Sequence, residues 1–136
     1  MTYTVSCEPG IEISEILTIG VSEYQSGVTE PLMIDLIETP SGTRVDWNVV
    51  PAATSYDVIR GDVASIAETV DDFELGVVVC VEADSLDQST AGLEDAANPL
   101  PGAAFFYLVE YWDDADSGYG TESAAKPRTP TSGDCL

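Results

Sequence analysis

The chain has 136 residues, with 25 acidic against 4 basic side chains and no histidine, for a formal net charge of −21. That length suits one domain, and a hydrophobic content of 44% separates it from disordered acidic tails. Without histidine there is no Ser-His-Asp or Cys-His catalysis, no His-ligated zinc and no imidazole switch. Four basic residues leave no electrostatic footprint for nucleic acid or anionic lipid.

Along residues 1–30, Tyr3, Val5 and Cys7 alternate, as do Ile11 and Ile13, then Leu17, Ile19 and Val21. The pattern predicts two short strands broken at Pro9-Gly10. A helix through Ile13, Ile16 and Leu17 is disfavoured by Thr18, Gly20 and Val21. The first residues carry neither a basic n-region nor an apolar h-region. The expectation is a secreted chain whose signal has been removed, or a piece of a longer one. No run approaches the ~18 apolar residues of a membrane helix, so no membrane insertion is expected.

Helical periodicity is nearly absent in the remainder, and period-two alternation recurs between turn signals. Met33 to Glu38 predicts an edge strand. In Arg44 to Val50, Val45, Trp47 and Val49 share a face, and Pro51 ends the strand. Ser55 to Arg60 follows, with Tyr56 and Val58 together, then a turn at Arg60-Gly61-Asp62. Ala64 to Val70 is one helical turn or a loop. Leu75 to Glu82 is a near-continuous apolar run that reads as a buried strand and includes Val79. In Ala103 to Trp112, Phe105, Tyr107, Val109 and Tyr111 share one face. Phe106, Leu108 and Trp112 take the other, interrupted by Glu110. Tyr119 to Ala125 supplies a last edge strand. Several short strands so punctuated indicate a sandwich or barrel.

The three cysteines, Cys7, Cys80 and Cys135, fit neither a CxxC redox site nor a zinc cluster. One disulfide and one odd thiol is the natural count, and spacing leaves all three pairings open.

Residues from about 31 to 135 resemble a fibronectin type III domain. Val45-Asp46-Trp47, a proline turn and Ala53-Thr54-Ser55-Tyr56-Asp57-Val58 resemble two core strands of that fold. Val58 to Asp62 and Pro101 to Val109 are similar to motifs of a bacterial secreted subgroup. The resemblance implies an all-β, fibronectin type III or immunoglobulin-like β-sandwich over residues 31–136, with residues 1–30 as an N-terminal strand extension. It also implies a Cys80–Cys135 disulfide, because the subgroup carries a mid-domain and a C-terminal cysteine. Cys7 is then an intermolecular or free thiol. The Arg60-Gly61-Asp62 tripeptide follows a strand rather than tipping the family's adhesion loop, and turn chemistry accounts for it.

Three candidate sites remain. Asp113, Asp114 and Asp116 form a carboxylate loop for calcium, with Asp114 and Asp116 at calcium-loop spacing but glycine one position early. Trp112 and Tyr119, with Tyr111 and Tyr24, are candidate aromatic platforms for sugar. Ile11, Ile13, Leu17, Ile19 and Val21 extend this domain's own sheets, belong to a preceding domain, or pair as an added strand with a neighbouring subunit's edge. Chance carboxylate pairs abound among 25 acids, and no phosphate loop opens a helix, so no enzyme is expected. The sequence thus points to an extracellular or cell-surface structural module that self-associates or contacts neighbouring domains of the same chain. A carbohydrate-binding or adhesive accessory domain of a larger secreted protein is the alternative. No cofactor other than calcium is expected.

Overall fold

The computed structural model describes residues 32–120 and 126–135. The described chain is mostly β, with almost no helix. Strand β1 (Ile34–Thr39) and strand β2 (Gly42–Trp47) form an antiparallel hairpin, with Ile34 opposite Trp47 and Thr39 opposite Gly42. Gly42 has φ +137°, and a Cβ there would stand 2.2 Å from the Asp95 carbonyl oxygen. Only glycine meets both conditions. The second edge of β2 is held by residues 88–95, without a regular strand. Thr43 and Asp95 exchange backbone hydrogen bonds of 2.8 and 2.9 Å, and Thr90 donates to Val45 at 2.9 Å.

A larger sheet is centred on strand β3 (Ser55–Asp62). A 3-10 turn (Val63–Ser65) leads from it into the two-residue strand β4 (Ala67–Glu68). Strand β5 (Phe73–Ser85) and strand β6 (Phe105–Trp112) lie antiparallel on either side of β3. Strand β4 and the last strand, β7 (Arg128–Ser132), both pair with the first residues of β5, β7 in parallel.

Side-chain alternation on β3 and β6 builds two cores. Tyr56, Val58, Tyr107 and Val109 face Val45 and Trp47 of β2, with the Trp47 and Tyr56 rings 5.5 Å apart. On the opposite face, Ile59, Phe106 and Leu108 pack with Leu75, Val78 and Tyr119, and Cys135 borders them. The double apolar register of β6 reflects this, since a strand covered on both faces needs apolar side chains in both. The Cys80–Cys135 disulfide, with Cα atoms 5.0 Å apart, fastens the C-terminal residues over the second core. The residues lie 55 apart in sequence, and closing such a loop is worth about 4 kcal/mol in the chain-entropy model.

Several expectations need correction. β2 ends at Trp47 rather than Val50: after the last ladder bond, from the Asn48 N–H to the Met33 carbonyl, Val49 is 60% exposed, while Val50 is buried and donates to the Tyr56 hydroxyl. The apolar run of β5 is not buried throughout. Val77 and Val79 are exposed, and Leu75 and Val78 are the buried pair, because the ladder shifts register at Gly76, whose φ is +75°. Arg60-Gly61-Asp62 is not a turn but the end of β3, with Gly61 opposite Phe106 on one side and Val78 on the other. The glycine is there because the Phe106 ring occupies the space a Cβ would need, 2.1 Å away. Tyr119 and Gly120 belong to no strand, and residues 121–125 lie outside the described residues, as does the N-terminal extension.

Gly61→Ala should therefore destabilise the fold by about 1–3 kcal/mol, the cost of overpacking against a buried ring. Urea unfolding measures it, and a change within error would show that Phe106 moves aside freely.

Candidate functional site

The loop after β6 reverses tightly. Asp113 donates its N–H to the Ala115 carbonyl at 3.0 Å, Asp114 adopts φ +54°, and Asp116 accepts from the Gly118 N–H at 2.6 Å. These bonds spend carboxylate and carbonyl groups on the turn itself. Asp113, Asp114 and Asp116 are all exposed. Among the described residues, no group of three or more acidic or cysteine side chains is arranged to hold a metal ion. The geometry therefore adds nothing to the expectation of calcium.

The loop instead delivers Asp116 to a cleft of about 440 Å³ at the end of β6. Asp57, Asp84, Glu110, Asp116 and Asp134 line it without a basic side chain among them. Strand register places Asp57 directly opposite Glu110. Like charges so placed are destabilising. Asp57 is engaged by the Asp84 N–H at 2.6 Å. Glu110 is 9% exposed. The Tyr119 hydroxyl donates to Asp134 beside the disulfide, and the Glu110 carboxyl neighbours Asp116 and Tyr119.

Burial pushes the Glu110 carboxyl up to about 8, helped by the hydrogen bond and charge of Asp116 and by the charge of Asp134. Burial likewise raises the Tyr119 phenol, reinforced by Asp134 and Glu110. At neutral pH the cleft therefore keeps a proton on Glu110, which lets two carboxyl groups lie together without mutual repulsion. Sequence inspection treated Glu110 as an interruption of an apolar face. Its burial depends on the C-terminal residues folding over that face, which no local pattern reveals.

A second polar centre binds the sheets together. The Arg60 guanidinium contacts both Asp95 carboxylate oxygens at 2.8 Å, and each side chain is only about a tenth exposed (14% and 10%). The Tyr107 hydroxyl donates to the same carboxylate at 2.9 Å, as does the Ala97 N–H at 3.1 Å. Arg60 also lies 4.5 Å over the Phe105 ring. Burial raises the Tyr107 phenol to about 12, and Asp95 adds to the effect.

The remaining sequence candidates divide. Trp112 is half exposed, as a platform requires, but Tyr119 is buried in the second core at 5% and presents no ring to solvent. The Trp112–Tyr119 pairing is thus corrected, because the Tyr119 ring fills space under the C-terminal residues. Tyr111 is half-buried against the first core. Cys80 and Cys135 are bonded to each other. Cys7, Ile11, Ile13, Leu17, Ile19, Val21 and Tyr24 lie outside the described residues.

Two outcomes follow. Asp95→Ala should cost about 3 kcal/mol in urea unfolding, near the lower end for a broken buried pair because both partners keep slight exposure. A loss no greater than that of Asp46→Ala at the more exposed Arg44 pair would remove Asp95 from its structural role. For Glu110, the folded form holds its proton from about pH 4.5 to 8 while the unfolded form loses it. The folded state then binds more protons, so this group's stabilising contribution is complete below the unfolded value and is lost as pH rises towards 8. Glu110→Gln should flatten the fall in melting temperature across that window and exceed the native protein above pH 8. Parallel curves would show that Glu110 titrates normally.

No family model, curated protein or solved structure matches the chain.

Proposed function

We propose that the chain is an extracellular structural module, a fibronectin type III-like sandwich that assembles by giving its N-terminal residues 11–21 as a strand. One observation carries the reading. In the first core, Leu32, Ile34 and Leu36 at β1 and Phe105 and Tyr111 towards the two ends of β6 are half-buried, as are Ala53 and Val81, whereas Tyr107 and Val109 between them are buried. A cleft of about 500 Å³ lined by Glu38 and Thr39 of β1 and Phe105 and Tyr107 of β6 joins these two outer strands. One more alternating apolar strand would cover that side, and Ile11, Ile13, Leu17, Ile19 and Val21 supply that alternation, with Glu15 the one charged residue at the same alternate spacing.

The disulfide supports an oxidising, extracellular setting. No helix among the described residues is long and apolar enough to cross a membrane. The sandwich reading rests on two apposed sheets with an interleaved core, and the parallel β5–β7 pair is an addition to the simple form of that fold. The acidic surface limits lateral clumping of free subunits.

The half-exposed Trp112 beside the acidic cleft favours a second reading, an accessory domain that binds carbohydrate. Quenching of its fluorescence by added oligosaccharide would support that role.

Deleting residues 1–22 should leave a folded monomer that no longer assembles, as read by circular dichroism and sedimentation. Polymers formed by the truncated protein would eliminate strand donation.

A further inference from the structure

Strand β6 pairs with β3 along its whole length, Ser55 opposite Trp112 through Asp62 opposite Phe105. In an antiparallel ladder, each residue sends both its N–H and its C=O to the same edge, and successive residues alternate. Two sets of bonds fix the alternation here. The Ala104 carbonyl accepts from Val63 on the β3 side. Tyr111 points the other way, because its carbonyl accepts from the Ser117 N–H at 3.0 Å and its N–H donates to Ser117 Oγ at 2.9 Å. Phe105, Tyr107 and Val109 share the parity of Tyr111, so their N–H and C=O groups point away from β3. Among the described residues, no strand pairs with this edge, and no backbone bond is made by these groups.

Three alternate residues whose donors and acceptors are unpaired among the described residues form a template for one more strand. Their side chains point into the first core, beside the half-buried stripe on β1. An incoming strand would thus gain a backbone ladder and an apolar groove together. β5 also pairs on only one edge beyond Val77, but there the chain carries Glu82 and Asp84 and exposes both faces more. Charged residues on an edge act against pairing.

We infer that the outer edge of β6, through the N–H and C=O groups of Phe105, Tyr107 and Val109, receives residues 11–21 of a second copy of this chain. The inference rests on the assembly reading above and names its acceptor. The eight residues of β6 span about 26 Å, and the donor segment, extended, reaches about 36 Å. Ile11, Ile13, Leu17, Ile19 and Val21 supply alternate apolar side chains for the groove. Cys80 and Cys135 are bonded to each other, which leaves Cys7 for a bond between copies in the assembly read above.

Residue-resolved amide hydrogen exchange on the full chain, dilute and concentrated, tests this beside sedimentation. Assembly with exchange slowed by about tenfold or more at Phe105, Tyr107 and Val109 is the expected result. In Ile19→Glu, assembly and that protection should both be lost. Assembly that protects β1 or β5 amides instead would overturn the β6 acceptor while leaving assembly intact. Unchanged assembly of Ile19→Glu would overturn the donor segment. A monomer at every concentration would overturn the second copy, whether its own chain protects β6 or nothing does, and the assembly reading would fall with it.

Discussion

The carboxylate of Asp95 is the point through which the two sheets are held in one arrangement. Its main chain pairs with Thr43 on β2, while its side chain takes Arg60 from β3 and Tyr107 from β6. A buried charge is tolerable only when paired and hydrogen-bonded, and here every partner comes from a different element. The pair therefore specifies more than it stabilises. A sheet slipped by one residue would leave Arg60 or Asp95 alone, whereas the apolar cores on either side would tolerate some repacking. Gly42 and Gly61 serve the same end, allowing backbone and ring to approach where any side chain would hold the layers apart.

The acidity of the chain takes two physical forms. Most carboxylates face water, where screening moderates their repulsion. Glu110 is different, because the loop after β6 brings Asp116 and Tyr119 beside it and the C-terminal residues close over it with Asp134. The disulfide keeps this cover in place, so covalent chemistry and a retained proton act on the same small region. Across the molecule, β6 joins these features: one end lies in the acidic cleft, its faces enter both cores, and no strand among the described residues pairs with its outer edge.

Much of the strand map was legible in the sequence because alternation is a local property. Val45 and Trp47, and Tyr56 and Val58, share faces for the reason their spacing indicated. The run of β5 misled because Val77, Val78 and Val79 are equally apolar, and only the register shift at Gly76 decides which is covered. The Arg60-Gly61-Asp62 tripeptide misled for a related reason. Glycine serves a turn and a close packing contact equally well, and the distinction depends on Phe106, which is 45 residues away in sequence.

Among the candidate sites, the aspartates after β6 were visible as a cluster, but the buried carboxyl they serve was not. The sequence by itself determined the β architecture, the absence of imidazole chemistry and the acidic surface, because these depend on composition and on neighbours one or two residues apart. Only the tertiary structure decided which cysteines bond, which acid keeps its proton, which tyrosine is sealed and which strand edge is unpaired among the described residues. Those properties depend on groups brought together across the chain, and burial, which sets their energies, exists only once the layers have closed.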